Sequence, residues 1–147
     1  MSALTIQVFG DPVPQGSKRA FPVYRGKGEH REFTGKVAVT DNAGARLAEW
    51  RHAIVVAARA GIGETAPLEG PVWLSLEFWL RQPKRPKFAL PATRPDYEKL
   101  ARAVGDALKA AGVYRDDGQV VTATISKRYT TGSPGVVVTV RREEGNP

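Results

Sequence analysis

The sequence contains no cysteine, and only two of its 147 residues, His30 and His52, are histidines. The lack of thiols excludes disulfide bonds, thiolate metal sites and cysteine nucleophiles. Any bound metal ion would therefore be held mainly by oxygen atoms. Oxygen ligands favour a hard cation such as Mg²⁺ or Mn²⁺ over zinc.

Long apolar segments are also missing from the sequence. No run approaches the ~18 apolar residues that a membrane-spanning helix needs. The first residues lack the basic region and the cleavage site of a secretory signal. We therefore expect no membrane association, and a location in the cytoplasm of a bacterium or of a phage-infected cell.

Acidic residues are outnumbered by basic ones, with 15 Asp and Glu against 22 Lys and Arg, which gives a formal net charge of +7. Such an excess of positive charge is typical of proteins that bind a polyanion. A chain of this length can bury a sufficient core without disulfide or metal cross-links. We expect a single domain that spans residues 1–147.

The hydrophobic pattern predicts both strands and helices. Apolar residues alternate in the predicted strands and recur at three- and four-residue steps in the predicted helices. The predicted strands are 4–9, 36–40, 71–80, 119–127 and 135–140, and the predicted helices are 43–60 and 95–111. Gly61 and Gly112 are expected to end the helices, and a short turn should join the last two strands as an antiparallel hairpin. The predicted fold class is α/β (α+β), with a mixed sheet, a central strand at 71–80 and two helices.

Two basic segments, 17–31 and 81–94, are predicted to be loops, because neither has a convincing regular pattern beyond a short extended piece in the first. The first combines cations with aromatic residues, and the second combines cations with prolines. The cations concerned are Lys18, Arg19, Arg25, Lys27 and Arg31 in the first segment, and Lys84, Arg85, Lys87 and Arg94 in the second. A solvated connection is the simpler interpretation of each. Cations beside planar rings also suit a surface that follows phosphates and stacks on exposed bases.

Three acidic residues, Asp96, Glu98 and Asp117, have the spacing of a candidate metal site, with Arg102 one helical turn after Glu98. For Asp96 and Glu98 to face one cation, one of them must lie at the helix edge, because residues two apart inside a helix point about 200° apart. An Asp96 that caps the helix or stays extended would meet this condition. Each residue can also be explained without catalysis. Acidic residues stabilise the first turn of a helix, and Glu98, Arg102 and Asp106 could form a ladder of ion pairs. Their joint occurrence in a basic chain favours hydrolysis of phosphodiesters by metal-activated water.

The stretch RPDYEKLARAVGDALKAAGVYRDDGQVV, residues 94–121, resembles the signature of the RusA family of Holliday-junction resolvases. That pattern reads approximately P-D-x-D-N-L-x-K, then D-A-L in the same helix, then D-D-x-Q-V. The opening V-F-G-D-P-V-P-Q-G also resembles the first strand and loop of the family. The resemblance implies a small homodimeric, Mg²⁺-dependent endonuclease, common in prophages, that acts on four-way DNA junctions in recombination and repair.

The resemblance also implies roles for individual residues. Asp96, Glu98 and Asp117 stand in the places of the three essential aspartates, and Arg102 stands in the place of the essential lysine. Glu98 is longer than aspartate by one methylene, Lys99 replaces an asparagine, and Arg102 keeps the charge without a compact ammonium group. Glutamate still ligates Mg²⁺ and Lys99 can contact a phosphate, so we expect activity to be retained, and these replacements leave the substrate preference open.

Two other functions stay open at this point. A non-catalytic DNA-binding protein could keep the same scaffold while the altered acidic residues no longer position a metal. A basic protein-interaction module would bind no junction DNA even at low salt, where phosphate contacts are strongest.

Overall fold

The computed structural model describes residues 3–16, 18–41 and 44–144, with side chains described at these positions except 18–21 and 38–41. Within these ranges the chain forms six strands and two α-helices. They are β1 (Ala3–Phe9), β2 (Lys18–Arg25), β3 (Glu32–Asp41), α1 (Gly44–Ile62), β4 (Val72–Arg81), α2 (Tyr97–Ala111), β5 (Val120–Thr130) and β6 (Gly135–Arg142). Short 3-10 helices lie at Gly28–His30 and Asp117–Gln119.

A four-stranded mixed sheet has the strand order β1-β6-β4-β5. β4 pairs with β5 in parallel and with β6 in antiparallel orientation, so it lies inside the sheet. Its inward side chains are buried at every second position, as period-two alternation requires. These buried residues are Val72, Leu74, Leu76, Phe78 and Leu80. The predicted α+β fold with a mixed sheet, two helices and a central strand at this position is confirmed.

Both helices contribute to one hydrophobic core together with the inward side chains of the sheet. Ile54 of α1 and Leu100, Val104 and Leu108 of α2 are fully buried. Burying an aliphatic side chain of this size stabilises a fold by about 1.5–3 kcal/mol. Neither helix, within the described ranges, combines the length and the apolar character that a bilayer span requires.

Helix α1 was predicted to end at Ala60, but it continues through Gly61 to Ile62. A Cβ atom on Gly61 would lie 2.5 Å from Cδ1 of Leu4, so the absent side chain lets α1 approach β1 closely. Gly63, with a φ of 59°, follows the helix end instead. Gly112 ends α2 in the left-handed conformation, with a φ of 82°, as the sequence predicts.

The predicted hairpin of the last two strands is wrong in its pairing. β5 and β6 both form, but β4 lies between them. The link 131–134 therefore crosses the end of β4 and spans about 10 Å, which is twice the spacing of adjacent strands. The turn residues specify only a local reversal of the chain direction. β4 is the more apolar strand, and it is stabilised most when strands pair with both of its edges.

Most of the first basic segment is a strand and not the predicted loop. β2 pairs with β3 as an antiparallel two-stranded ribbon that forms a sheet of its own. The strand predicted at 36–40 lies within β3, while Ser17 lies outside the described residues. A register shift between Pro22 and Tyr24 interrupts the pairing. This irregularity and the absence of an apolar face hid the strand pattern in the sequence.

Candidate active site

The first two acidic residues of the motif lie at the start of α2. Asp96 directly precedes the helix with an extended backbone, φ −68° and ψ 138°, and its side chain makes no capping hydrogen bond. Glu98 lies in the first turn, and both residues are exposed. The extended conformation of Asp96 meets the requirement that one of the two carboxylates lie at the helix edge, since inside the helix they would point apart.

Lys127 of β5 anchors the segment that leads into Asp96. Its ammonium group donates hydrogen bonds to the carbonyl oxygens of Thr93, at 2.8 Å, and of Pro95, at 2.9 Å. Lys127 is half-buried, and hydrogen bonds from charged donors are stronger than those between neutral groups. The backbone at Asp96 is thus held from the sheet while its carboxylate stays available. Sequence reasoning missed Lys127, whose only signal is a cation within a β-rich strand.

The loop after β1 packs against the same end of α2. The backbone amide of Gln15 donates to the carbonyl oxygen of Lys99 at 2.9 Å. The Lys99 ammonium lies 3.9 Å from the carboxylate of Asp96, whose side chain is 50% exposed. Exposed ion pairs of this kind contribute about 0–1 kcal/mol. Asp96 is therefore only weakly engaged, and the N-terminal loop and the acidic motif form one region of the surface.

Asp117 approaches α2 further along the helix. The buried Tyr114 donates a hydrogen bond from its hydroxyl to the carbonyl oxygen of Gly105 at 3.1 Å. Burial raises the pKa of Tyr114 above its ordinary value, and the nearby charge of Asp117 raises it further. A Cβ atom on Gly105 would lie 3.9 Å from Oδ1 of Asp117. Tyr114, a second residue that sequence reasoning missed, thus anchors the turn that presents Asp117.

Asp116 and Gln119 build this turn. The Asp116 carboxylate accepts from the amide of Gly118 at 3.1 Å, and the side-chain oxygen of Gln119 accepts from the amide of Asp116 at 3.0 Å. The Gly118 bond and then the Lys109 ammonium, at 3.4 Å, lower the pKa of Asp116. Both side chains are used to hold the turn, which leaves the Asp117 carboxylate free of such a role.

One face of α2 leads from Glu98 past Arg102 to Gly105. Glu98, Arg102 and Gly105 follow one another at steps of four and three residues, so they share this face. Asp117 lies beside Gly105, and Arg102 therefore lies between the turns occupied by the two carboxylates. Arg102 is exposed and forms no ion pair with any residue that the structure describes.

The ion-pair ladder that would have explained these charges without catalysis does not form. Asp106, expected to pair with Arg102, instead lies 3.9 Å from the guanidinium of Arg51 on α1. This contact connects the two helices. Arg102 is left available for a ligand.

The three acids do not form a ready-made metal cage. Among the described residues, no three acidic or imidazole side chains lie close enough together to hold one ion. About 10 Å of helix separates Glu98 from Gly105, beside which Asp117 lies, at 1.5 Å per residue. The assignment of Asp96, Glu98 and Asp117 to one ion stays a prediction. Mg²⁺ usually takes one or two carboxylates and completes its shell with water and substrate phosphate, and the exposed oxygen donors at the start of α2 fit that chemistry.

Apart from Lys99 of α2, the cations predicted to contact DNA lie on two exposed surfaces. Those with described side chains are Arg25, Lys27 and Arg31 on the β2–β3 ribbon, and Lys84, Arg85, Lys87 and Arg94 between β4 and α2. The side chains of Lys18 and Arg19 lie outside the described part of the chain. On the ribbon, the Arg31 guanidinium lies 4.3 Å from the ring centre of Tyr24, which also contacts Phe33. Cations beside exposed rings match the predicted type of surface, and DNA contact itself stays a prediction.

Comparisons with known proteins agree with the motif. The family model described as Endodeoxyribonuclease RusA matches residues 21–141 of the chain. The matched residues include Asp96, Glu98, Arg102 and Asp117. YqaN of Bacillus subtilis (strain 168), described as an uncharacterized protein, is 29% identical over 153 aligned residues, which cover 96% of this chain and 97% of the relative. The name of that relative specifies no activity, so the functional information comes from the family model.

Proposed function

The chain belongs to the RusA endodeoxyribonuclease family, and from this membership we propose a metal-dependent nuclease that resolves Holliday junctions and related branched DNA. Its cofactor is Mg²⁺ or Mn²⁺, and its place is recombination and repair in a bacterial or phage-infected cytoplasm. The observation that carries the proposal is the state of the family's acidic motif. Asp96, Glu98 and Asp117 are exposed, and among the described residues the one ion pair that they form is the weak contact of Asp96 with Lys99 at 3.9 Å.

Each residue of the motif has a role in this proposal. Asp96 and Glu98 would hold the cation at the start of α2, and Asp117 is proposed as the third ligand. Bound there, the cation would lower the pKa of a ligated water and offset charge on the phosphate. Arg102, between the acids, stabilises the charge that develops on the phosphate oxygens. The water oxygen bonds to phosphorus, one bridging P–O bond breaks, and a proton passes to the leaving oxygen.

The surroundings of the motif suit a branched polyanion. The β2–β3 ribbon and the segment between β4 and α2 both carry exposed cations, which bind phosphates without regard to sequence. A homodimer would carry two such motifs related by a twofold axis. Two sites in this relation suit the cutting of two opposed strands of a four-way junction.

A second function, DNA binding without cleavage, is favoured by one observation. No three acids of the described residues converge on one point. Glu98 and Arg102 also depart from the residue types of the family. A scaffold that kept its cations and lost its metal would bind junctions and leave them intact.

Cleavage of a labelled synthetic junction distinguishes these functions. The protein is incubated with the junction in Mg²⁺, in Mn²⁺ and in EDTA, beside Asp117→Asn and a control, Glu64→Gln, which removes an exposed acid outside the motif. We expect paired nicks in either metal, none in EDTA, normal cleavage by Glu64→Gln and a loss of about 100-fold or more in Asp117→Asn. Binding without nicking in either metal would support the non-catalytic function. Absence of binding at low salt would support a protein-interaction module.

A further inference from the structure

Two cavities adjoin the segment that connects β4 to α2. The first has a volume of about 390 Å³ and is lined by Pro14, Arg94, Pro95, Asp96 and Lys99. The second has a volume of about 280 Å³, and its lining includes Arg81, Pro91 and Tyr129. Arg94 and Pro95 line both cavities. The two cavities therefore adjoin at Arg94 and Pro95, and together they are named here the proline groove, with Asp96 at one end and Tyr129 of β5 at the other.

The walls of the proline groove combine prolines with charged and polar side chains. Five prolines contribute to them, namely Pro12, Pro14, Pro83, Pro91 and Pro95. Proline has no backbone N–H group, so the donors along these walls are mainly side chains such as Arg94 and Lys99. Tyr129 adds a half-buried aromatic ring at the far end. Aromatic rings bind nucleobases by stacking, which accepts every base.

The size of the groove distinguishes between forms of DNA. Cavities of a few hundred Å³ match a small planar ligand such as a single base. A base-paired duplex does not fit such a space. The groove is therefore suited to one strand whose bases have separated from their partners, as happens at a branch point.

The charge around the groove is complementary to a phosphate backbone. Residues 81–99 include six Lys and Arg residues and two acids. Arg94 and Lys99 line the end next to Asp96. Arg81, at the other end, contacts Asp11 at 3.3 Å but keeps 66% of its side chain exposed. Cations at both ends can follow the phosphates of a strand whose bases face the prolines.

We propose that the proline groove binds a single DNA strand as it leaves the branch point, and that this strand delivers its phosphate to Asp96. The inference rests on the proposed nuclease function and extends it with a specific path for the cut strand. Tyr129 stacks on a base of that strand, and Arg81 contacts a phosphate there. Selectivity for branched over intact duplex DNA then comes from the groove, because only an unpaired strand enters it.

Photocrosslinking tests the path independently of cleavage. Tyr129 is replaced by the photoreactive p-benzoylphenylalanine in an Asp117→Asn background, and a four-way junction labelled on one strand at a time is irradiated. We expect crosslinks to unpaired nucleotides at the branch point of the strand that the wild-type protein cuts, and none to an intact duplex of equal length. Crosslinks confined to the duplex arms, or the absence of crosslinks despite binding, would refute the proposal that the groove binds a single strand. If the wild type nicks no strand, crosslinks at the branch point still support the groove.

Affinity measurements give a second test. Tyr129→Ala and Arg81→Gln are compared with Tyr129→Phe and with Arg142→Gln, since Arg142 pairs with Val72 at the opposite end of β4. We expect Tyr129→Ala to weaken junction binding about tenfold, from the loss of one stacked base, while duplex binding stays unchanged. Arg81→Gln should reduce junction affinity more than Arg142→Gln, and Tyr129→Phe should bind normally.

The two proposals fail in different ways. Wild-type protein that binds junctions and cuts nothing, with the Tyr129→Ala effect intact, would refute the nuclease function and keep the groove. Cleavage by the wild type together with equal junction affinity of Tyr129→Ala and Tyr129→Phe would refute the groove and keep the nuclease.

Discussion

Replacement of Lys127 by methionine tests whether β5 positions the acidic motif. Lys127→Met keeps an unbranched apolar stem and removes the ammonium group. That group donates to the carbonyl oxygens of Thr93 and Pro95 at 2.8 and 2.9 Å, and Asp96 is the next residue in the chain. The substitution therefore removes two contacts that fix the backbone beside a predicted metal ligand.

The expected magnitude follows from the burial of the groups involved. A hydrogen bond with one charged partner contributes about 1.5–3 kcal/mol to stability. Thr93 is exposed and Pro95 is half-buried, so their carbonyl oxygens regain water when the ammonium is removed. We therefore expect the free energy of unfolding to fall by about 1–2 kcal/mol in total. A displacement of Asp96 by about 1 Å would slow cleavage by about 10- to 100-fold.

Urea unfolding and single-turnover junction cleavage measure the two effects. Cleavage is followed over a range of Mg²⁺ concentrations, because a misplaced ligand should raise the concentration needed for half-maximal rate. Lys127→Arg, which keeps a donor, should recover part of the rate. Lys36→Met removes the same charge from an exposed site and controls for weaker DNA attraction. Equal rates and equal Mg²⁺ dependence in Lys127→Met and Lys36→Met would refute the positioning role.

Three further predictions concern the framework of the site. Tyr114→Phe removes the buried hydroxyl bond to α2 and should lower the free energy of unfolding by about 0.5–1.5 kcal/mol in urea titrations; an unchanged midpoint would contradict it. Gly135→Ala places a Cβ atom against the backbone of β1, and a cost of about 1–3 kcal/mol should lower the Tm. Asp116 should titrate below its ordinary pKa by carboxyl NMR, because the Gly118 amide and then Lys109 favour its ionised form. Its stabilising effect is thus present above the ordinary pKa and lost as pH falls through the lowered value, and Lys109→Met should raise the pKa only in part.

Local patterns in the sequence predicted the elements that bury a continuous apolar face. The alternation in β4 and the three- and four-residue steps in α2 are direct consequences of backbone geometry, and both elements form where they were expected. The ribbon strand β2 was missed because it has charged residues at both ends, a proline inside it and a register shift, and so lacks a regular period-two pattern. The partner of β5 was also missed, since β4, which is distant in sequence, lies between β5 and β6.

The residues of the candidate site also divide into those that the sequence predicted and one that it did not. The motif identified Asp96, Glu98, Arg102 and Asp117 by residue type and spacing, and the structure leaves all four exposed. Lys127 was not identified, because its hydrogen bonds reach residues 32 and 34 positions away. No local pattern encodes such a contact.

The sequence by itself determined the chemistry available to this protein: oxygen ligands without thiols, an excess of cations, and acids at the spacing of a nuclease motif. These properties belong to side chains and to short-range periodicity, which are fixed before folding. Only the tertiary structure decided which residues meet. Packing of α2 against the turn before β5 brings Asp117 beside Gly105. Packing of β5 against the segment that connects β4 to α2 places two cavities side by side at Arg94 and Pro95. Both arrangements depend on contacts between distant parts of the chain, whose geometry is set by how the whole core packs.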